Sequence, residues 1–128
     1  MLHARFSRLP AHHIGETAVV LEAHTFRARL LGLGRLSRLD LPEQHALLLR
    51  PCSMLHTFGM WFPIDVVFAD RDGKALRVIR DVAPRRMLRC PGAAMALESH
   101  AGEVAVFLEG GRGSGARLNQ RIPLDGPA

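Results

Sequence analysis

Residues with the chemistry for a functional site gather in one stretch of the chain, Cys52 to Asp65. Cys52 and His56 are four residues apart, a spacing that places two side chains on the same side of a helical turn. An imidazole beside a thiol favours the nucleophilic thiolate, so Cys52, His56 and Asp65 are the candidate catalytic residues. However, Pro51 disfavours a regular helix here. The alternative, which the sequence favours, is that Cys52 is a small apolar filler at a strand end.

Two carboxylates, Asp65 and Glu98, each adjoin or interrupt a predicted apolar strand. A buried carboxylate is costly unless it is paired or accepts backbone N–H bonds. Asp65 could therefore be an acid/base or ligand anchor, or it could cap the preceding loop or pair with an arginine such as Arg29 or Arg80. We favour the structural interpretation for Asp65, because structural ion-pair networks also hold carboxylates in such places. The same argument applies to Glu98.

A metal site would need three or four ligands within tetrahedral reach. Cys52, His56, Asp65 and Glu98 are the nearest to such a set, but the chain has no C-x-x-C or H-x-x-x-H spacing. The sequence therefore predicts no metal site and no other cofactor.

The segment between Pro51 and Pro63 is rich in methionine and aromatic residues. Such residues can line an apolar pocket or a partner groove, although they more often form core. We expect Trp61, the only tryptophan, to remain partly exposed. The predicted ligand-binding residues are His56, Thr57, Met60, Trp61, Asp65 and Glu98.

The chain is basic, with 17 Lys and Arg against 12 Asp and Glu and a net charge of +5. This excess mildly favours anionic partners. Arg85, Arg86 and Arg89 form the tightest basic cluster and are the predicted anion-binding residues. The other arginines are spread along the chain and tyrosine is absent, so the pattern does not favour nucleic-acid binding.

The length of 128 residues predicts one domain over residues 18–122, with a loosely ordered N-terminal segment, 1–17, and a tail, 123–128. The clearest local structure is an antiparallel hairpin of strands 64–69 and 75–82, whose Asp-Gly turn we expect to tolerate substitution. Further short strands are predicted at 19–23, 46–49, 93–99 and 116–122, and a helix is predicted to start at Thr25. Residues 103–109 are compatible with a short helix or a strand. The predicted fold class is α+β, with a strongly bent, mainly antiparallel sheet and one or two short helices.

Three phrases, TFRARLLGL, CSMLHTFGMWFPIDVVFADRDGKALRV and MALESHAGE, together resemble one small bacterial and archaeal family. It is the domain of unknown function that is number one hundred and ninety-two in that series, and the resemblance covers about residues 19–109. The resemblance implies a compact α+β domain with a curved, barrel-like sheet, and it implies no known activity. Relatives often carry Gly-Asp before the last strand, where this chain has Gly110-Gly111-Arg112-Gly113. The matching positions are Arg29, Gly32, Leu33, His56, Thr57, Met60, Pro63, Ile64, Asp65, Phe68, Gly73, Leu97, Glu98 and Gly102.

The function that the sequence favours is a non-enzymatic binding module for a small polar or anionic ligand, or for a protein partner. Its pocket would lie near the His56–Asp65 loop. The alternatives are a small enzyme, such as a hydrolase, that uses Cys52 or His56 with Asp65, and weak RNA binding through the dispersed arginines. No apolar run approaches the roughly 20 residues that span a bilayer, and no signal-peptide apolar region is evident, so we expect a cytoplasmic location.

Overall fold

The computed structural model describes residues 4–23, 38–111, 113 and 115–124. The helix predicted from Thr25, with Arg29, Gly32 and Leu33, lies outside the described residues. Within them, the only helical segments are three short 3-10 turns, at Ala4–Phe6, Arg38–Asp40 and Val104–Phe107. None of the helices in this part of the chain is long and apolar enough to cross a membrane.

The described residues form a β-rich domain. Its strands are β1 (Ala11–Ile14), β2 (Ala18–Ala23), β3 (His45–Leu49), β4 (Met54–His56), β5 (Ile64–Ala69), β6 (Ala75–Val82), β7 (Met87–Arg89), β8 (Met95–His100), β9 (Leu108–Glu109) and β10 (Arg117–Leu118).

Six strands form the main sheet in the order β1-β2-β3-β8-β5-β6. Only the pair β2–β3 is parallel, which confirms a mainly antiparallel sheet. The resemblance implied a barrel-like α+β domain, but the main sheet of the described residues is open, with β1 and β6 as its edge strands. Two small two-stranded sheets, β4–β7 and β9–β10, accompany it.

The central strands are apolar on both faces because each face of the main sheet carries a core cluster. The first cluster includes Leu21, Leu47 and Phe68, and the second includes Val67 and Leu97. All six residues of β2, β5 and β8 are buried. This double coverage explains why consecutive apolar residues, rather than an alternating pattern, mark these strands in the sequence.

The β5–β6 hairpin has the strand limits that the sequence predicts. In its turn, Asp70 Oδ1 accepts hydrogen bonds from the backbone N–H groups of Asp72 and Lys74, both at 2.9 Å. The expectation that this turn tolerates substitution is wrong at Gly73, which has a φ of +84° and is covered by the C-terminal segment. A Cβ atom at Gly73 would lie 3.1 Å from Leu124 Cδ1, and the Gly73 carbonyl accepts a hydrogen bond from the Leu118 N–H at 2.8 Å.

Three strands were not predicted. Residues 11–14 fall in the segment expected to be loosely ordered, but they pair antiparallel with β2. Strands β4 and β7 fall in predicted loops, because runs of three residues near prolines are too short to show a period of two. Four predicted strands differ in their limits: β2 and β3 each start one residue earlier, β8 covers Met95–His100, and β10 covers only Arg117–Leu118. Residues 103–109 divide into a 3-10 turn and strand β9.

Candidate functional site

The candidate site is built on the β4–β7 ribbon, which lies over the first core cluster. Met54 is opposite Arg89, Leu55 opposite Leu88, and His56 opposite Met87. Leu55 and Leu88 pack against the first cluster. Because side chains alternate along a strand, the other four residues face outward, and all four are exposed.

Thr57 fixes the end of the ribbon. This residue is fully buried, and its hydroxyl donates to the Ala83 carbonyl and accepts from the Arg86 N–H, both at 2.8 Å. Its backbone carbonyl also accepts from the N–H groups of Arg85 and Met60, both at 3.2 Å. The predicted ligand contact at Thr57 is therefore occupied by bonds that join the loops on either side of the ribbon.

Asp65 is buried in β5 and accepts three backbone hydrogen bonds. Its Oδ1 accepts from the Asp81 N–H at 2.9 Å, and its Oδ2 accepts from the N–H groups of Gly102 and Val104 at 2.9 and 3.3 Å. A buried carboxylate is stable when backbone donors satisfy it in this way. The arrangement supports the structural interpretation of Asp65, with partners on β6 and on the segment after β8.

Asp65 and Glu98 do not belong to one pocket. In the β5–β8 register, Asp65 is opposite Ser99, whereas Glu98 is opposite Val66. Since alternate residues point to opposite faces, the two carboxylates lie on opposite faces of the main sheet. Glu98 is buried on the face that the ribbon covers, and Asp65 lies on the other face beside Val104.

The proposed pairing of Cys52 with His56 depends on a helical turn that the structure does not contain. Met54–His56 is a strand, and an extended chain separates residues four apart by roughly 13 Å. The half-buried Cys52 thiol contacts the Met54 carbonyl at 3.4 Å, and Cys52 and Cys90 form no disulfide. The exposed His56 ring lies 5.6 Å from the Phe58 ring, measured between centroids.

Exposed apolar side chains concentrate on and beside the ribbon. Trp61 is 77% exposed, which confirms the expectation for it; Met87 is 62%, Met54 56% and Phe58 51% exposed. Among the described residues, only Leu39 and Val106 are other large apolar side chains with comparable exposure. Met60 is buried, so the predicted apolar wall of Met60 and Trp61 divides between core and surface. We call the exposed side chains of Met54, His56, Phe58, Trp61 and Met87 the ribbon surface.

Arginines border the ribbon surface. Arg85, Arg86 and Arg89 are all exposed, and residues 52–63 and 83–91 contain no Asp or Glu. Arg77, on the adjacent strand β6, donates from Nη1 to the Arg89 carbonyl at 3.0 Å. The surface is therefore apolar at its centre and positively charged at its edge, where it would attract anionic groups.

Two further features are not predicted by any local pattern in the sequence. Met87 is on the ribbon surface only because its strand pairs with β4, and no local pattern in the sequence predicts this pairing. A buried ion pair joins Arg50 to Glu22 at 2.6 Å, and Arg50 Nη1 also donates to the Pro123 carbonyl at 3.0 Å. That pair ties the C-terminal segment to the main sheet. Within the part of the chain that the structure describes, no group of three His, Cys, Asp or Glu side chains could hold a metal ion.

Two solved structures share this fold. One, from Sinorhizobium meliloti and described as a candidate transcription regulator, has a TM-score of 0.66 and 23% identity, covering 80% of this chain and 81% of that chain. The other is a protein of unknown function from Novosphingobium aromaticivorans, with a TM-score of 0.64 and 17% identity, covering 93% of this chain and 98% of that chain. Identities this low show a common fold alone.

The sequence matches no curated protein significantly. The family model of DUF192, described as an uncharacterised ACR, matches residues 10–118. This match spans the three phrases that carry the resemblance and extends it through β1 and β10. The chain belongs to the DUF192 family.

Proposed function

We propose that the protein is a non-enzymatic binding module that receives a protein partner on the ribbon surface. The observation that carries this proposal is the placement of exposed apolar side chains: four of the six large ones among the described residues lie on or beside one ribbon. Soluble proteins rarely expose such side chains together except where they bind something.

The residue types and their support also suit protein binding. Tryptophan, phenylalanine and methionine are enriched at protein interfaces, and methionine adapts its shape to a partner. The bonds of Thr57 fix the two loops beside the ribbon, and Leu55 and Leu88 anchor its inner face in the core. A rigid support of this kind reduces the entropy that binding must overcome.

The same geometry supports the small-ligand pocket and the enzyme less well than it supports protein binding. Thr57 and Asp65 would have supplied the polar contacts, but both are buried and bonded to backbone groups. His56 is exposed, and Cys52 lies at the other end of the extended segment. A two-stranded outer face therefore supports contact with a partner surface better than enclosure of a small molecule.

One observation favours a second candidate, the binding of single-stranded nucleic acid. Phe58 and Trp61 are exposed aromatic side chains, and the backbone N–H groups of Arg85 and Arg86 donate to Thr57, the residue before Phe58. Arg89 lies opposite Met54 on the same ribbon. Aromatic faces that stack on bases, combined with arginines that contact phosphates, form the usual platform for single strands.

Selection from a displayed library of random 12-residue peptides tests the proposal. Recovered peptides are titrated against the wild-type protein, the double variant Met54→Ser/Met87→Ser and the control Val106→Ser. Val106 is a partly exposed residue on the 3-10 turn that packs on the opposite face of the main sheet. We expect the double variant to weaken binding at least about tenfold, as loss of two buried apolar contacts does, and the control to bind like the wild type.

Recovered peptides that bind all three proteins equally, or a selection that enriches no peptide, would contradict the proposal. A labelled 12-nucleotide single strand serves as the second probe. Its binding at low salt, weakened by Arg89→Gln and steeply reduced as salt rises, without any peptide binding, would instead establish the nucleic-acid candidate.

A further inference from the structure

We propose that the partner is an acidic, extended peptide segment that adds as a third strand along the open edge of β4. This inference rests on the proposed function, because it specifies the partner of the same ribbon surface. Three features of the described residues carry it: an unpaired strand edge, the apolar side chains beside that edge, and the arginines of segments 52–63 and 83–91, which contain no Asp or Glu.

The hydrogen-bond register identifies the open edge. The Thr57 N–H donates to the Arg86 carbonyl, and the Cys90 N–H donates to the Ser53 carbonyl, both at 2.8 Å. Backbone groups in an antiparallel pair point alternately toward and away from the partner strand. Residues 53, 55 and 57 therefore face β7, and the N–H and C=O groups of Met54 and His56 point away from it.

Nothing else among the described residues pairs with this edge. The small sheet contains β4 and β7 alone, and outside the β4–β7 ladder no backbone hydrogen bond of the described residues involves His56. The Met54 carbonyl has only the long contact from the Cys52 thiol. By contrast, the outward side of β7 faces β6, where Arg77 donates to the Arg89 carbonyl. Among the described residues, the β4 edge of the ribbon is thus open to strand addition.

The side chains beside the edge specify what the added strand should contain. A strand bonded to β4 would lie about 4.8 Å from it and would turn every second residue to the face that carries Met54 and His56. Those residues should be apolar, since they would contact Met54 and Phe58. Arg86 lies opposite Thr57 at one end of the ribbon, and Arg85 is its neighbour. Acidic residues near that end of the peptide would meet these two exposed guanidinium groups.

The small size of the edge is consistent with reversible binding. β4 has only three residues, and a short edge strand limits uncontrolled pairing between sheets. In strand addition, backbone bonds supply part of the affinity and pockets for alternate side chains supply specificity. The ribbon surface provides the side-chain contacts through Met54, Phe58 and Trp61.

Methylation of peptide amides tests the inference on the partner side. The probe is an acidic peptide recovered from the library, prepared with N-methyl groups at its even-numbered amides, at its odd-numbered amides, or at none. Strand addition uses the amides of one parity only. We expect one methylated series to bind at least about tenfold more weakly than the parent, and the other to bind within about threefold of it. Equal effects in both series, or none in either, would overturn strand addition.

Substitution of His56 tests the same edge on the protein side. His56→Pro removes the N–H group that points away from β7, whereas His56→Ala removes the imidazole and keeps that N–H. Proline is tolerated on an edge strand when its nitrogen faces solvent. We expect His56→Pro to bind the parent peptide at least about fivefold more weakly than His56→Ala does. Equal affinity in two folded variants would overturn the inference, and the methylated peptides decide the question if His56→Pro does not fold.

Other occupants of the edge give different results. If two copies of this chain pair through β4, sedimentation shows a dimer without peptide, and His56→Pro dissociates it. If the surface binds a membrane, vesicles that contain phosphatidylglycerol bind the protein and displace the peptide, while neutral vesicles do not. Either result would overturn the acidic peptide as the partner. Peptides that depend on Met54 and Met87 but ignore amide methylation would refute strand addition and leave the proposed function standing.

Discussion

At the residue scale, Asp65 and Thr57 have the same role: each uses its oxygen atoms to join backbone segments that are distant in sequence. Asp65 accepts from the N–H groups of Asp81, Gly102 and Val104. Thr57 joins the β4 end of the ribbon to the segment before β7. The Thr57 bonds hold the loops around the candidate site, and the Asp65 bonds hold segments on the opposite face of the main sheet. Both sets explain why polar residues occur in an otherwise apolar interior.

The variant Asp65→Asn should lower the free energy of unfolding by about 3 kcal/mol. Asparagine keeps one acceptor oxygen, but its amide group faces backbone N–H donors, which leaves buried donors unsatisfied. Urea denaturation measures the change. The matched control Asp72→Asn lies in the exposed hairpin turn and should change stability by less than about 0.5 kcal/mol. Wild-type stability in Asp65→Asn would show that the backbone hydrogen bonds of Asp65 do not stabilise the fold.

Thr57→Val and Thr57→Ser separate the hydroxyl of Thr57 from its methyl group. Valine loses the bond to the Ala83 carbonyl and leaves the Arg86 N–H without its acceptor, so we expect a loss of about 2–3 kcal/mol in unfolding free energy. Serine keeps the hydroxyl but loses one buried methyl group, so we expect its unfolding free energy to fall by about 1 kcal/mol. Denaturation curves that rank serine below valine would show that packing of the methyl group, and not hydrogen bonding, is what the site requires.

At the element scale, the β5–β6 hairpin is fixed by its turn and by the segment that covers it. Asp70 accepts two backbone hydrogen bonds inside the turn, and the C-terminal segment adds others: Leu118 donates to Gly73, and Ala75 donates to Ala116. The hairpin therefore depends on contacts with a segment about forty residues later in the chain.

Two glycine variants test this dependence. Gly59 and Gly73 have φ values of +82° and +84°, so replacement of either by alanine should cost about 1–2 kcal/mol in backbone strain. The position of a Cβ atom at Gly59 is open, whereas at Gly73 it lies 3.1 Å from Leu124. We expect Gly73→Ala to lower the free energy of unfolding by about 1 kcal/mol more than Gly59→Ala does, because the added methyl group overpacks against Leu124. Thermal unfolding measures the difference.

The additional loss at Gly73 should disappear when Leu124 is also replaced by alanine. If it persists in the Leu124→Ala background, the C-terminal contact is not its cause. Equal losses at Gly59 and Gly73 in the wild-type background would lead to the same conclusion.

The difference between these elements shows what the sequence can predict. The β5–β6 hairpin is predictable because an Asp-Gly turn between two apolar runs is a local signal. The ribbon is not, since its two strands are three residues long and are paired by bonds such as that from Thr57 to Arg86. The sequence indicates that Asp65 and Trp61 are unusual, but their roles follow from neighbours that only the folded chain provides. Asp65 has three backbone donors, and Trp61 lies beside a ribbon with exposed methionines.

At the scale of the whole molecule, one sheet separates two apolar clusters, and each cluster has its own cover. The ribbon covers the first cluster through Leu55 and Leu88, and the 3-10 turn Val104–Phe107 packs against the second. This arrangement gives the ribbon an inner face that is held by the core and an outer face that is free to bind. It also places Val106 on the opposite side of the sheet, which makes that residue a suitable control for the ribbon surface.

The fluorescence of Trp61 tests the central claim most directly, because it is the only tryptophan and is 77% exposed. The free protein should emit like an indole in water and be readily quenched by acrylamide. A saturating peptide from the library that contains no tryptophan should shift the emission to shorter wavelength and reduce quenching. The control Val106→Ser should respond in the same way as the wild type. If the peptide binds, as anisotropy of a label on it shows, but the emission and quenching of Trp61 do not change, then the partner binds elsewhere and the assignment of the ribbon surface is wrong.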